Sequence, residues 1–415
     1  MKNQRCKGAR DLLPDDSYRF RYIEDTFRSS CLKWGYQEVK TPTLEYLHLF
    51  TAAGTLTPSM LNKVYSFLDW DGWSGERVVL RPDGTIPVVR LYIENSSGTK
   101  AKYFYVTNVF AFEETGTVDR ENWQCGVELL GDAKPTSDVE TILLALEIMH
   151  SAGIDDVNIQ LSHAGILKAL LKELKLEPEK ETKLFNQIRD GDWKNLIKAK
   201  VENPDINKIL SLLLDLRGKT SGFLENFKAF SDISDDFKKK LDNFIEITHL
   251  LDILNCSYQI DVTSTSGFEY YTGICFQFAA GNKKLGSGGR YDDLVPLIGG
   301  KKTPACGFAL YMDPLMNLVK AKIGQNKELG VLINGTDNTP DITMSCFQLA
   351  QSLREAGYVA ELDFNGNPTD WRWIVKVQPN QLPFIVLDRN QNRVKEASTI
   401  ANVIEMIGSS IYLAK

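Results

Sequence analysis

The 415-residue sequence is poor in the features that mark several function classes. Its seven cysteines are isolated, with no pair at CxxC spacing and an odd total, which argues against a disulfide framework and a thiolate zinc site. Only four histidines occur, His48, His150, His163 and His249, and no two stand at the helical spacing of a metal site. Nothing matches the phosphate loop GxxxxGK[ST] or the dinucleotide fingerprint, so neither a metal nor a cofactor is expected. No apolar run approaches the roughly 18 to 20 residues that span a bilayer, and the opening Met-Lys-Asn-Gln-Arg-Cys-Lys lacks the apolar stretch of a signal peptide. Positive charge is not in excess: 48 Lys and Arg face 54 Asp and Glu, a formal −6. No global field therefore draws in nucleic acid or anionic lipid, although a local basic patch stays open. Together these absences imply a soluble, cytosolic protein in a reducing compartment, with no membrane association.

What the chain does contain is ample core material, with 43% hydrophobic, 10% aromatic and 25% charged residues. That composition excludes disorder as the main theme, and the length predicts two or three domains. Apolar and aromatic residues at helical spacing over 16–34, among them Tyr18, Tyr22, Phe27 and Cys31, predict a first helix stopped by Gly35. Strands are predicted over 36–40, 78–80, 102–112 and 127–130, followed by an apolar helix over 138–151. Lys/Glu-rich segments with leucines three and four apart predict a mostly helical insertion between about Ala164 and Leu251. Strands are expected again over 258–262, 270–279 and 284–286, then a glycine-rich turn and a helix near Asp313. Beyond a lysine-containing joint at 320–327, a β-α-β pattern predicts a small α/β domain with a mainly parallel sheet.

Four stretches place polar groups and glycines where a core would take aliphatics. Lys7-Gly8-Ala9-Arg10-Asp11-Leu12-Leu13-Pro14 is a charged turn ahead of the first helix, and a helix cap explains it as well as a site does. Leu80-Arg81-Pro82-Asp83-Gly84-Thr85 sets an acid and a hydroxyl on a tight turn, although Asp-Gly pairs are more often simply turns. In the third, 102–113 with 123–128, a period of two places Gln124, Gly126 and Glu128 on one strand face. A buried Gln and Glu need partners, and they suit a small ligand carrying an ammonium and a polar ring. The fourth pairs Gly267-Phe268-Glu269-Tyr270-Tyr271-Thr272-Gly273 with Gly286-Ser287-Gly288-Gly289-Arg290-Tyr291-Asp292. Its tyrosines offer aromatic walls with hydroxyl tips, and its glycines let backbone approach a ligand.

The series KGARDLLP, GYQEVKTPTLE, LRPDGT, VTNVFAFE with WQCGVE, GFEYYTG, GSGGRYDDL and PACGFAL resembles, in order and spacing, the catalytic core of histidyl-tRNA synthetases. The resemblance implies an α+β fold: a class II aminoacyl-tRNA synthetase-like antiparallel sheet flanked by helices over residues 1–325, with the helical insertion at about 164–251. Residues 326–415 would form a small α/β domain resembling a reduced anticodon-binding domain. A homodimer is implied by the first motif, around Pro42. So is a histidine pocket. Asp83, where the family has Glu, would meet the α-ammonium, with Thr85 after it; Gln124 and Glu128 match the amino-acid-binding pair, and Tyr270 and Tyr271 the residues beside the imidazole.

The adenylating half departs from the synthetases. Three positions that carry arginine there are Ala111, Ser266 and Pro314 here. Guanidinium forks neutralise a polyanion while charge moves, and losing one such donor costs on the order of a hundred- to a thousandfold in rate. Arg81, Arg90, Arg120 and Arg290 remain as cations for weak nucleotide binding. A core with a kept histidine pocket and no adenylating arginines resembles the regulatory subunits of ATP phosphoribosyltransferase, non-catalytic synthetase paralogues. That resemblance implies a short-form catalytic subunit as partner, histidine as ligand and feedback inhibitor of histidine biosynthesis, a homodimer within a hetero-oligomer, and no tRNA. Leu161-Ser162-His163-Ala164-Gly165 also looks like that family, although a lone histidine is more often structural. From Lys327 to Lys415 eight basic side chains face ten acidic ones, no footprint for RNA phosphate. Two other readings stand beside it: an active histidyl-tRNA synthetase, needing substitutes for Ala111, Ser266 and Pro314, and a synthetase-like amino-acid or tRNA sensing module. Whether inhibitory histidine occupies the pocket or a subunit contact is open at this level.

Overall fold

The computed structural model describes residues 5–54, 56, 61–69, 75–96, 98–112, 119–173, 177, 179, 217–218, 220–229, 234–261, 270–319, 329–337, 339–363, 371–379, 381 and 383–412. The chain divides into two units, Met1–Lys320 and Ala321–Lys415.

The first unit starts with α1 (Pro14–Lys33). Pro14 at its first turn, Asp15 and Asp16 beside it and Lys33 in the last turn suit the helix dipole, and Gly35 at φ +79° ends it. Its buried stripe is Ile23, Phe27 and Cys31, four residues apart, whereas Tyr18 is exposed. The predicted apolar set was therefore one face out at its N-terminal end. There follow β1 (Gln37–Glu38), β2 (Leu44–Tyr46), α2 (Leu47–Ala52), β3 (Ser66–Leu68), β4 (Arg77–Leu80) and α3 (Thr85–Asn95). Then come β5 (Ala101–Phe110), β6 (Glu121–Leu130), α4 (Pro135–Ser151), β7 (Asn158–His163) and α5 (Ala164–Glu173). The insertion continues with β8 (Arg217–Gly218), α6 (Ser221–Ala229) and α7 (Asp235–Ile253). The unit closes with β9 (Gln259–Asp261), β10 (Ile274–Ala280), β11 (Lys283–Arg290), α8 (Leu294–Leu297), β12 (Ala305–Tyr311) and α9 (Met312–Met316).

A nine-stranded sheet in the order β1-β5-β6-β12-β11-β10-β7-β9-β8 carries this unit, and a small sheet β2-β4-β3 lies beside it. The long pairings β5/β6, β6/β12, β12/β11, β11/β10 and β10/β7 are all antiparallel, as the resemblance implied. Helix α1 packs on α4 and α9, and α4 packs on β12 and α7. Within the insertion, β8 pairs with β9 and so extends the main sheet, a strand inside a region read as helical. Residues 180–216 of that insertion lie outside the described residues. No helix among the described residues is long and apolar enough to cross a membrane, and all seven cysteines are free thiols.

One expectation is overturned. The glycine-rich segment is not a turn after a short strand, since all of Lys283–Arg290 is strand β11, buried between β10 and β12. Its glycines answer to the neighbouring strands. A Cβ on Gly286 would sit 2.6 Å from the Ala309 carbonyl oxygen, one on Gly289 would sit 2.5 Å from that of Ile274, and one on Gly288 would enter the Gly307 carbonyl and the Phe276 ring. Backbone does not yield as a side-chain tip does. Gly288→Ala is accordingly expected to destabilise the protein by at least about 1–3 kcal/mol, read as a lowered urea midpoint; an unchanged midpoint would show that the sheet relaxes locally.

The second unit is a five-stranded sheet in the order β14-β13-β15-β16-β17, formed by β13 (Gly330–Gly335), β14 (Val359–Leu362), β15 (Trp373–Val377), β16 (Phe384–Asp388) and β17 (Arg393–Ala397). Helices α10 (Pro340–Glu355) and α11 (Ile400–Tyr412) pack on it over a core that includes Val331, Leu349, Val375, Val386 and Ile407. The sheet is mixed rather than mainly parallel: β13 pairs in parallel with β14 and β15, but β15/β16 and β16/β17 are antiparallel. Arg393–Ala397 escaped notice because four of its five residues are exposed, leaving no apolar alternation to read. Buried Arg372 pairs with Asp388 at 3.2–3.3 Å, and Arg354 donates to the Ala360 carbonyl at 2.8 Å, so two of the few cations here serve the fold.

Candidate functional site

The site grows from the pairing of β5 with β6. Tyr105 lies opposite Gly126 in that register, so it shares a face with Gln124, Gly126 and Glu128. The glycine makes room for the tyrosine: a Cβ on Gly126 would enter the Tyr105 ring, and a Cβ on Gly84 would crowd both that ring and the Gln124 amide. Tyr105 donates to a Glu128 carboxylate oxygen at 3.3 Å and accepts from Gln124 Nε2 at 3.4 Å. On the other side Glu128 faces Gly307 of β12, where a Cβ would collide with its carboxylate. The hydroxyl of Tyr291 donates to the second Glu128 oxygen. Glu128 is 1% exposed, and burial pushes its carboxyl up to about 8 against the lowering effect of hydrogen bonds from Tyr291, Thr85 and Tyr105. Burial thus favours the neutral form of this carboxyl, and the surrounding hydroxyls favour the charged one.

The tyrosine pair closes the wall. Tyr270 and Tyr271 have ring centroids 4.8 Å apart, and Tyr270 meets Tyr291 edge-on at 5.8 Å. Tyr271 packs against Gly289, whose Cβ would stand 3.1 Å from the ring. Asp83 caps α3 by accepting from the Ile86 N–H at 2.9 Å; burial raises its carboxyl, opposed by the N–H groups of Ile86 and Thr85. The Asp-Gly segment is a turn, and the turn sets the Asp83 carboxyl at the start of α3. A cavity of about 480 Å³ adjoins, lined among others by Asp83, Asn122, Gln124, Tyr311, Asp313 and Pro314.

The structure brings Asp83, Thr85, Gln124, Glu128, Tyr270 and Tyr271 into one neighbourhood, their charges and hydroxyls acting on one another. It adds Tyr105 and Tyr291, which the sequence reading passed over. Tyr291 stood inside GSGGRYDDL, whereas Tyr105 meets Gly126 through the β5/β6 register, which the period along 101–110 does not fix. Of the three positions without arginine, Pro314 is in the cavity wall, Ala111 follows β5 with its N–H on the Arg120 carbonyl at 2.9 Å, and Ser266 lies outside the described residues.

The arginines that remain are occupied. Arg81 gives its guanidinium to the carbonyls of Thr41, Pro42 and Asn108 and to Asn108 Oδ1, at 2.6–3.0 Å. Arg90 forks onto Glu45 at 2.7 and 3.0 Å and reaches Glu94. Arg290 forks onto buried Asp138 at 3.0–3.1 Å, and Arg120 lies over the Phe112 ring at 5.1 Å. The stretch KGARDLLP supplies no side-chain cap to α1; its Arg10 pairs with Asp313 of α9 instead, and Gly8 accepts from the Arg120 N–H at 2.7 Å. His163 Nδ1 accepts from the Ile166 N–H at 3.2 Å at the start of α5, and burial lowers the ring to about 4. No group of three or more His, Cys, Asp or Glu among the described residues is placed to hold a metal ion.

Residues 8–315 match the family model for histidyl-tRNA synthetase. An ATP phosphoribosyltransferase regulatory subunit of Dehalococcoides mccartyi is 44% identical, over 97% of this chain and 98% of that one. The chain belongs to the ATP phosphoribosyltransferase regulatory subunit family. A histidine–tRNA ligase of Methanocaldococcus jannaschii is 30% identical over 88% of this chain and 86% of its own, so this member keeps the synthetase framework at lower identity. A crystal structure of an ATP phosphoribosyltransferase regulatory subunit/histidyl-tRNA synthetase from Bacillus halodurans superposes with TM-score 0.79 at 22% identity, covering 92% of this chain and 99% of that one. That likeness places this family member in the class II synthetase-like fold.

Proposed function

We propose that this chain is a non-catalytic regulatory subunit: it activates a short-form ATP phosphoribosyltransferase catalytic subunit and relays feedback inhibition by histidine in the first step of histidine biosynthesis. One observation carries the reading. A buried cluster of hydroxyls and carboxyls is built around Glu128, while the cavity beside it is lined among others by Asp83, Asp313 and Pro314, and the arginines Arg81, Arg90 and Arg290 are committed to protein partners. A triphosphate entering that cavity would meet carboxylates where adenylation requires cations. In this proposal the imidazole of histidine lies between Glu128 and the Tyr270–Tyr271 pair, and the α-ammonium lies between Asp83 and Gln124. Residues 1–325 act as the regulatory core, in a homodimer within the hetero-oligomer, and residues 326–415 act without tRNA. Histidine inhibits only if it binds the inactive assembly more tightly than the active one.

The test has two arms. Purified protein with ATP, histidine and labelled pyrophosphate is expected to show no exchange, and exchange would return it to the synthetases. A short catalytic subunit mixed with this chain is expected to gain activity and lose it again as histidine is added. Activity indifferent to the chain would sink the proposal.

A further inference from the structure

We infer that Lys168 is a positioning residue for the histidine pocket: its ammonium holds the Tyr271 carbonyl and so ties the tyrosine wall to helix α5 of the insertion. The inference rests on the pocket being a histidine site. Lys168 Nζ donates to the Tyr271 carbonyl oxygen at 2.8 Å, across 103 residues of chain. The Ala164 N–H, at the start of the same helix, donates to the Gly273 carbonyl at 2.9 Å. Between them Gly165 lets the Thr272 carbonyl come close, since a Cβ there would stand 2.7 Å from that oxygen. Three successive carbonyls of the wall, those of Tyr271, Thr272 and Gly273, therefore meet the start of α5.

The wall is held from its other side as well. The Thr272 N–H donates to the Arg290 carbonyl at 2.7 Å, and the Thr272 hydroxyl accepts from the Asp292 N–H at 3.0 Å. Helix α5 is backed in turn by α7, where the Phe244 ring stands 5.5 Å from that of His163 and the Lys240 chain reaches the space beside Gly165. Burial lowers the Lys168 ammonium, with Lys172 and Lys240 acting in the same direction and Asp293 and Cys275 against it. A methionine would fill this space without that desolvation cost, so packing does not account for a lysine here. The carbonyl does. A hydrogen bond from a charged donor contributes on the order of ten- to a hundredfold in an equilibrium constant, and the share that depends on the aim of Tyr271 is read in ligand affinity.

The test is the affinity of the full chain for L-histidine, measured by calorimetry. Lys168→Met removes the donor at nearly the same length and is expected to weaken binding by roughly five- to tenfold. Lys168→Arg keeps a cationic donor and is expected to restore binding to within about twofold of wild type. Lys172→Met, which removes the same charge from an exposed position one turn further along α5, is expected to leave affinity unchanged. Unchanged affinity in Lys168→Met would overturn the inference, and a loss of binding in Glu128→Ala measured beside it would leave the histidine site standing. Equal losses in Lys168→Met and Lys168→Arg would assign the effect to packing, and an equal loss in Lys172→Met would assign it to net charge; either overturns the inference too. No binding of histidine by the wild-type chain would overturn the pocket reading as well. Lys168→Ser, polar and too short to reach the carbonyl, takes the place of the methionine variant if that one does not fold, with the same two outcomes.

Discussion

Glu128→Ala is expected to abolish histidine binding, with a loss of at least a hundredfold in affinity by calorimetry. The carboxyl is buried on the face of β6 that meets the tyrosines, and in the proposed binding mode its removal takes away the polar partner of the ring nitrogen. It also leaves the Tyr105 and Tyr291 hydroxyls without their acceptor. Each orphaned buried hydroxyl costs about 1–3 kcal/mol, so Glu128→Ala will also lower stability. Glu128→Gln separates the two effects, since it keeps the shape and an acceptor oxygen while removing the titration. The sign follows from the raised carboxyl. From its ordinary 4.5 to about 8 the unfolded chain gains charge and the folded one does not, so this group erodes stability as pH rises through that window. Relative to wild type, Glu128→Gln should therefore gain stability with increasing pH, by an amount on the order of a few kcal/mol by pH 8, read from thermal unfolding at several pH values. A pH-independent difference would mean that this carboxyl titrates alike in the folded and unfolded chain. Binding of histidine unchanged in Glu128→Ala would move the ligand out of this pocket.

Arg290→Ala is expected to have the largest effect on folding. Its guanidinium and the Asp138 carboxylate are both buried, and stripping one partner from such a pair costs about 3–5 kcal/mol because a bare charge stays behind. Even with Arg290 in place, burial lifts Asp138 to about 6, from an ordinary 3.8. The carboxyl thus costs stability progressively as pH rises from 3.8 to 6, and without arginine that window extends further upward. The deficit of Arg290→Ala in urea should accordingly shrink in acid, where Asp138 is protonated, and widen toward neutral pH. The double variant Arg290→Met, Asp138→Leu should recover much of the loss, as apolar replacements of buried pairs do elsewhere. A deficit equal at all pH values would mean that the arginine contributes packing rather than charge. The pocket should suffer with it, because the Arg290 carbonyl accepts from the N–H groups of Thr272 at 2.7 Å and Gly273 at 3.4 Å, beside Tyr271, and Arg290 precedes Tyr291.

Several elements could be read from the chain because their cause is local. Proline and aspartates ahead of an apolar repeat announce α1, and a period of two puts Gln124 and Glu128 on one face whatever the strand pairs with. Absent charge is equally local: Ala111, Ser266 and Pro314 carry no side-chain cation in any fold. The glycines of β11 were misread because their reason is not local. GSGG has the composition of a turn, and only the carbonyls of Gly307, Ala309 and Ile274 on adjoining strands show that it must be flat and bare.

By itself, then, the sequence determined the family, the polar face of β6 and the absence of arginine at positions 111, 266 and 314, since each follows from residue type at fixed spacing. The tertiary structure alone decided which remaining cations are available. Arg81, Arg90 and Arg290 look alike in sequence, yet each is held by at least one acceptor distant in the chain, Asn108, Glu45 and Asp138 in turn, and the same long-range pairing sets Tyr105 and Tyr291 on Glu128. A guanidinium or carboxyl acquires its function from the partners that folding brings to it, and those partners are not its neighbours in the chain.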